Sequence, residues 1–320
     1  MRNEFRDNHF SFLAKLPKNS QWILEFTQGP SSAHLFRVKK KICHQKTPFQ
    51  IVDIVKLFHY GKTLFLDERL QVTQADEFLY HESVVHPALL THPQPQKVLI
   101  IGGADGGAAY QVLKHKSVEK LFLVEIDAKL IKLCQKFLPE INRGIFKNPK
   151  LKIFTTDGRK FLSKGKEKFD VIISDLTAPL INPPSYLLFT KEFYKIIYDR
   201  LNKDGIFSLQ ADSTDHLNNK IFTSVYRTVE KVFPIVKALQ VFIPSYDNNW
   251  GFIIASKKYN PASLDSSEIK RRIKKRGLRG LKFYDEKIHQ SLFVLPKDLR
   301  EAIKKQKKII RDNHPIITLQ

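Results

Sequence analysis

Four carboxylates fall where apolar runs of this chain end. Asp105 lies just past Val98–Ile101, Glu125 closes the run from Leu121, Asp157 follows Leu151–Thr155 with Gly158 beside it, and Asp175 ends the run from Phe169. Short apolar runs bounded by proline and glycine read as buried parallel strands. Ligands of open α/β sheets sit at the carboxyl ends of such strands. The four acids therefore form a local negative rim in a chain whose formal charge is +22. A rim of that kind suits a cationic substrate. Asp175 is the foremost candidate for chemistry, because a carboxylate held at a strand tip can accept a proton or orient an amine. It is followed by Leu176–Ser185, a proline-laden loop able to close over it. Each acid also has a plainer reading: Asp105 as a helix cap, Asp157-Gly158 as an ordinary turn, Asp175 as a solvated side chain.

The turn after the first of these strands reads Gly102-Gly103-Ala104-Asp105-Gly106-Gly107. Glycines let the backbone turn tightly and approach a ligand closely, so Gly102 is a candidate binding position. Glu125 comes about 20 residues later, the spacing at which such folds place a carboxylate against ribose hydroxyls. The turn departs from a dinucleotide fingerprint, since Asp105 would repel a pyrophosphate. A cation that bears an adenosine meets no such objection. An α/β loop without any ligand is the alternative.

These residues need a scaffold. From Gln96 onward the rhythm is β-α-β, with strands expected at 97–102, 121–126, 151–155, 169–175, 205–210, 237–243 and 250–256. Helices fall between most of them, including one from Ala108, one at 129–139 ending at Pro139, and one at 190–201 closed by Gly205. The expected fold is α/β, a Rossmann-like doubly wound sheet of the class I methyltransferase type. Ahead of it, four apolar or alternating runs (22–26, 33–38, 50–55 and 63–67) predict a small antiparallel β domain. A helix is expected over 75–90, capped by Thr73 or Asp76, with Phe78, Val84 and Leu89 as its stripe. It carries Tyr80 and His81, about 100° apart on a helix. The divisions are an N-terminal arm over 1–20, a β domain over 21–74, a catalytic domain over 75–260 and a basic, mainly helical extension over 261–320.

At 320 residues, with 42% hydrophobic and 11% aromatic content, the chain can bury a substantial core. It has no apolar run long enough to span a membrane, so no transmembrane helix is expected, and the polar start from Met1 to Asp7 leads to no expectation of a signal peptide. Two cysteines, Cys43 and Cys134, form no motif, which points to reduced thiols in the cytoplasm. The net charge raises the question of nucleic acid. From Lys257 on there are 18 Lys and Arg against 7 Asp and Glu, so half the excess sits in the tail. Lys270–Arg276 and Lys304–Lys308 interleave with Ile269, Ile273, Ala302, Ile303, Ile309 and Ile310. That spacing predicts solvated faces of amphipathic helices. RNA or another polyanion is the minority reading, and few aromatics are interleaved for base stacking.

Taken together, several motifs resemble the polyamine aminopropyltransferases, the spermidine synthase family. They are Lys46–Gln50, Asp76–His81, His86–Pro93, Ile101–Gly107, Val124–Asp127, Asp157-Gly158, Asp175–Pro179, Ile243–Tyr246 and Trp250–Phe252. Leu176-Thr177, Trp250-Gly251 and Phe293–Asp298 look more like the branch of thermospermine synthases and the triamine or agmatine aminopropyltransferases of thermophiles. The resemblance implies transfer of an aminopropyl group from decarboxylated S-adenosylmethionine, a co-substrate and not a prosthetic group, to an amine, with release of 5'-methylthioadenosine. It implies putrescine as the foremost acceptor, with agmatine and spermidine as alternatives, and a homodimer or homotetramer. By motif, Gln50, Glu125, Asp157 and Gly158 would hold the nucleoside and sulfonium end, and Asp105 the aminopropyl ammonium. Tyr80 and His81 would face the polyamine, Asp175 would accept the proton, and Tyr246 would line the acceptor channel; no metal is implied. The family usually shows a second aspartate three residues after the catalytic one, where this chain has Ala178, so one anchoring charge for the acceptor is gone. Two other functions fit parts of the pattern: a nucleic-acid methyltransferase, favoured by the tail and opposed by Asp105, and a non-catalytic polyamine-binding relative, suggested by Ala178.

Overall fold

The computed structural model describes residues 20–26, 32–179 and 185–316. The arm expected over 1–20 falls outside the described residues except for Ser20, as does the centre of the proline-laden loop. Five strands come first: β1 (Gln21–Glu25), β2 (His34–Lys46), β3 (Ile51–Leu57), β4 (Gly61–Leu66) and β5 (Arg69–Thr73). They pair antiparallel in sequence order. Only four were expected. β4 and β5 form a hairpin in which Leu66 pairs with Arg69, leaving a two-residue loop of Asp67 and Glu68. Both take left-handed backbone, at φ 46° and 64°, as such hairpins require. Neither is the glycine or asparagine that normally signals this turn, so the hairpin had no mark in the sequence.

The second sheet begins after α1 (Glu77–Thr91), with β6 (Lys97–Gly102), α2 (Gly107–Leu113), β7 (Lys120–Glu125), α3 (Ala128–Phe137) and α4 (Pro139–Asn142). Pro139 opens α4 instead of merely ending α3, a position where its missing N–H costs nothing. Next come β8 (Leu151–Thr155), α5 (Gly158–Lys164), β9 (Phe169–Asp175), α6 (Lys191–Arg200) and β10 (Leu201–Ser213). α7 (Lys220–Glu230), β11 (Ile235–Ile243) and β12 (Asn248–Ser256) complete it, before α8 (Ser266–Lys275), α9 (Glu286–Leu292) and α10 (Lys297–Lys305). The strand order is β11-β12-β10-β9-β6-β7-β8. β10, β9, β6, β7 and β8 pair parallel; β12 runs antiparallel to β10, and β11, antiparallel to β12, points the same way as the other five. Helices cover both faces, as a doubly wound sheet demands, and two apolar clusters form the core.

α1 is enclosed from His81 to Thr91. Val84, Val85, Leu89 and Leu90 are fully buried, each worth roughly 2 kcal/mol of apolar burial. Neither expected cap holds its first turn: Asp76 makes no side-chain cap bond. Asp76 instead accepts from the Thr73 hydroxyl at 2.6 Å and from the Ser245 N–H at 2.8 Å, which ties the helix entry to the turn between β11 and β12. At the other end, α8 supplies what α1 lacks. Arg272 donates to the carbonyls of Leu90 and Thr91 at 2.6 and 2.9 Å, and the buried Arg276 donates to those of Leu89, His92 and Pro93. These two arginines were expected on a solvated face; unpaired carbonyls at a buried helix end draw them inward. Beyond α10 the helical expectation also gives way. Gln306–Ile310 is neither helix nor strand, and Ile310 is buried against α7.

Candidate active site

The parallel register sets β6 beside β9 so that Gly102 pairs with Asp175. Gly102 sits at φ +83°, and a Cβ there would lie 2.1 Å from the Asp175 carbonyl oxygen. The chain can turn at this point only without a side chain. Gly107, at the start of α2, meets a different neighbour: a Cβ would stand 2.1 Å from the His81 ring. These two glycines bring the strand tips and α1 into contact around one cleft.

That cleft is lined by Gln50, Tyr80, His81, Gly102, Asp105, Glu125, Asp157, Gly158, Asp175 and Tyr246, the full set of candidates singled out in the sequence. The plainer readings of two acids hold as well. Asp157 N-caps α5, accepting from the Lys160 N–H at 2.6 Å, and Asp105 accepts from the Gly107 N–H at 2.6 Å. Each carboxylate is thus aimed by the helix that follows it while it lines the cleft.

A chain of alternating charge runs behind the cleft. Arg143 donates to Glu77 at 2.7 Å, and Glu77 accepts from His81 Nδ1 at 2.7 Å. His81 Nε2 faces Asp105 at 3.4 Å. Burial alone would lower the His81 imidazole, but Asp105 and Glu77 outweigh it and hold the pKa well above the ordinary value. Burial likewise works to raise Glu77, and its bonds to His81 and Arg143 bring it below the usual range. His81 is therefore an imidazolium clamped between two carboxylates. Glu77 was not among the candidates, although its position four residues before His81 places both on one helix face.

Asp175 sits at the centre. Its Oδ1 accepts the Tyr80 hydroxyl at 2.8 Å. Its Oδ2 is buried without a hydrogen-bond partner. Burial, then repulsion from Asp105, pushes its pKa up to about 6 against the pull of His81 and Tyr80. Burial also raises Glu125 to about 7, although the amides of Asp127 and Ile126 hydrogen-bond to it. Tyr80 and Tyr246 are driven well above the ordinary phenol value, first by burial and then by the nearby acids, so both are neutral donors.

The remaining walls were less legible. Leu64, Leu66, Leu70 and Gln71 come from β4 and β5, so the hairpin that had no sequence mark forms one side. Tyr246 is fixed there by donating to the Gln71 carbonyl at 2.5 Å, and packs edge-on to Trp250. Gln210 lines the cleft and donates to the Leu176 carbonyl at 2.8 Å. Gln50 donates to Asp127 at 3.2 Å, which makes Asp127 a support for the Glu125 end as well as the cap of α3. Ala178 lines the cleft and brings no charge. Among the described residues no cluster of three or more His, Cys, Asp or Glu could hold a metal ion, and no helix is long and apolar enough to cross a membrane.

A methyltransferase-like α/β sheet with an acid-lined cleft at its strand ends defines a class of enzyme, and comparison with known proteins narrows it. Residues 77–266 match the spermine/spermidine synthase domain, and residues 21–74 match the spermidine synthase tetramerisation domain. The polyamine aminopropyltransferase of Sulfurisphaera tokodaii is 41% identical over 92% of this chain and 97% of its own. That of Sulfolobus acidocaldarius is 38% identical over 93% and 98%. A crystal structure of spermidine synthase with the transition-state analogue AdoDATO superposes with a TM-score of 0.84 at 34% identity, covering 91% of this chain and 97% of the other. Spermidine synthase from Thermotoga maritima gives 0.81 at 33% identity, covering 91% and 96%. The chain belongs to the spermine/spermidine synthase family and is a transferase of aminopropyl groups.

Proposed function

We propose that this enzyme moves the aminopropyl group of decarboxylated S-adenosylmethionine to the primary amine of an acceptor, putrescine foremost, giving spermidine and 5'-methylthioadenosine. One observation carries the reading: a half-buried carboxylate, Asp175, with one oxygen held by Tyr80 and the other buried and unpartnered, lines an acid-lined cleft. The acceptor amine has a pKa of about 10, so it arrives protonated and must lose that proton to become a nucleophile. Asp175 Oδ2 takes it. The amine nitrogen then attacks the carbon next to the sulfonium, a C–N bond forms, the C–S bond breaks, and its electron pair neutralises the sulfur. Holding the two reactants in line supplies much of the rate.

The other acids share out the donor. Gln50, Glu125, Asp157 and Gly158 hold the nucleoside and sulfonium end, and Asp105 meets the aminopropyl ammonium. An acid at that place favours the decarboxylated donor over intact S-adenosylmethionine, whose carboxylate it would repel. This is also the argument against a nucleic-acid methyltransferase. Tyr80 and Tyr246 line the acceptor channel. His81, itself cationic, serves the amine by fixing Asp105. With Ala178 in place of an acid, agmatine and spermidine remain open beside putrescine. The unpaired Cys43 and Cys134 support a cytoplasmic setting, and the match of residues 21–74 supports a homo-oligomer. Exposed Leu24 and Leu35, paired across β1 and β2, offer an apolar face for assembly.

The test is to incubate the protein with decarboxylated S-adenosylmethionine and each of putrescine, cadaverine, agmatine and spermidine, and to measure methylthioadenosine. Product is expected with at least one. No product with any of the four would overturn the proposal.

A further inference from the structure

The segment after α10 is tied to three elements of the α/β sheet domain. Gln306 donates to Thr223 at 3.0 Å, and Ile310 donates its N–H to Thr228 at 2.9 Å, so the segment is seated on α7. The Ile310 carbonyl accepts from the Lys191 N–H at 2.9 Å, and the Asp312 N–H donates to Glu192 at 3.1 Å, which fastens it to the start of α6. Asp312 then takes both arms of Arg159, at 2.8 and 2.6 Å. The same guanidinium donates to the Leu187 carbonyl at 3.2 Å. Arg159 directly follows Asp157 and Gly158, and Leu187 lies in the short helical turn Ser185–Phe189, whose Ser185 and Leu188 line the cleft. Ser185 in turn donates to the Ala178 carbonyl at 3.0 Å, three residues past Asp175.

We propose that Arg159 is a positioning residue, held by the strap 306–312 through Asp312, which sets the Ser185–Phe189 wall of the cleft relative to the turn that presents Asp157 and Gly158. A planar guanidinium is suited to this, since its fork can bind a carboxylate with two parallel bonds and still reach a carbonyl. The Arg159–Asp312 pair contributes placement more than folding energy, because a partly exposed ion pair adds little stability. Asp157 is aimed separately, by its cap bond to Lys160, so losing the strap shifts the Ser185 side and leaves the Asp157 side in place. The wall that moves touches the carbonyl of the uncharged Ala178 through Ser185, at a place where an acceptor depends on shape instead of a fixed charge.

The kinetic half of the test rests on the aminopropyl-transfer reading; the exchange half does not. Asp312→Asn and Arg159→Lys are compared with the wild type and with Asp312→Glu, which keeps the carboxylate and leaves Arg159 in place. Amide exchange across 185–189, read by mass spectrometry, is expected to quicken about tenfold in Asp312→Asn and Arg159→Lys and to stay within about threefold of the wild type in Asp312→Glu. The KM for the amine is expected to rise about tenfold, with kcat and the donor KM changing less than about threefold. A purely structural role would lower the melting temperature and the apparent kcat and leave the amine KM unchanged. Unchanged exchange and unchanged amine KM in Asp312→Asn would overturn the proposal. If the wild type makes no methylthioadenosine, the proposed function fails, and the exchange data alone decide whether the strap positions the wall.

Discussion

Asp175 is held in a place that penalises its charge. Its folded pKa lies near 6 against an ordinary 3.8, chiefly through burial. A carboxyl whose folded pKa is raised contributes most to stability when protonated, below the unfolded value, and that contribution is lost as pH rises through about 6. At neutral pH the cost is on the order of 2 to 3 kcal/mol. Asp175→Asn keeps the acceptor for Tyr80 and removes the charge, so at pH 7.5 it should melt higher than the wild type. Turnover should fall by roughly 10² to 10⁴, the usual contribution of a positioned base, while calorimetry shows donor binding retained. A variant that melts no higher and turns over normally would remove Asp175 from its role. In the wild type, kcat/KM should decline with unit slope as pH falls below about 6, because Asp175 must be ionised to take a proton. The decline should be absent from the residual activity of Asp175→Asn.

At the scale of elements, α1 carries Tyr80 and His81 toward the cleft and depends on α8 for its far end. Arg276 is buried and its pKa is pushed down to about 9 by burial, yet it stays charged at pH 7 and serves three carbonyls. Arg276→Ala should leave them without partners at a cost on the order of 3 kcal/mol, seen as a lower urea midpoint with an unchanged m-value. The sequence showed the apolar runs of the seven-stranded sheet plainly, because buried parallel strands are apolar on both faces. It showed the candidate acids because strand ends are where those runs stop. It hid β5, since Asp67 and Glu68 adopt left-handed backbone without glycine. It hid the roles of Arg272 in α8 and Arg276 just after it, because their partners are backbone carbonyls more than a hundred residues away in the chain. It also hid Glu77, which looked like one more acid in a helix entry until His81 and Arg143 were placed on either side of it.

The whole molecule sets a basic exterior around an acidic cleft. Of the +22 formal charge, half lies beyond residue 256, while the strand-end rim presents Asp105, Glu125, Asp157 and Asp175. Both substrates of the proposed reaction are cations. At distances beyond the cleft they meet net repulsion, and only near its mouth do the four acids take over. Dissolved salt separates the two effects, because it screens charges more than about 10 Å apart at 0.1 M and screens buried contacts much less. Raising the ionic strength from about 10 to 150 mM should therefore speed the encounter with a polyamine, whereas attraction-steered enzymes slow down. Stopped-flow or low-substrate rates in sodium chloride would show it, and a fall over that range would mean the acidic field reaches out through the basic shell. The enzyme should then capture its substrates best in a salty medium, a preference set by where the lysines lie and not by the chemistry they surround.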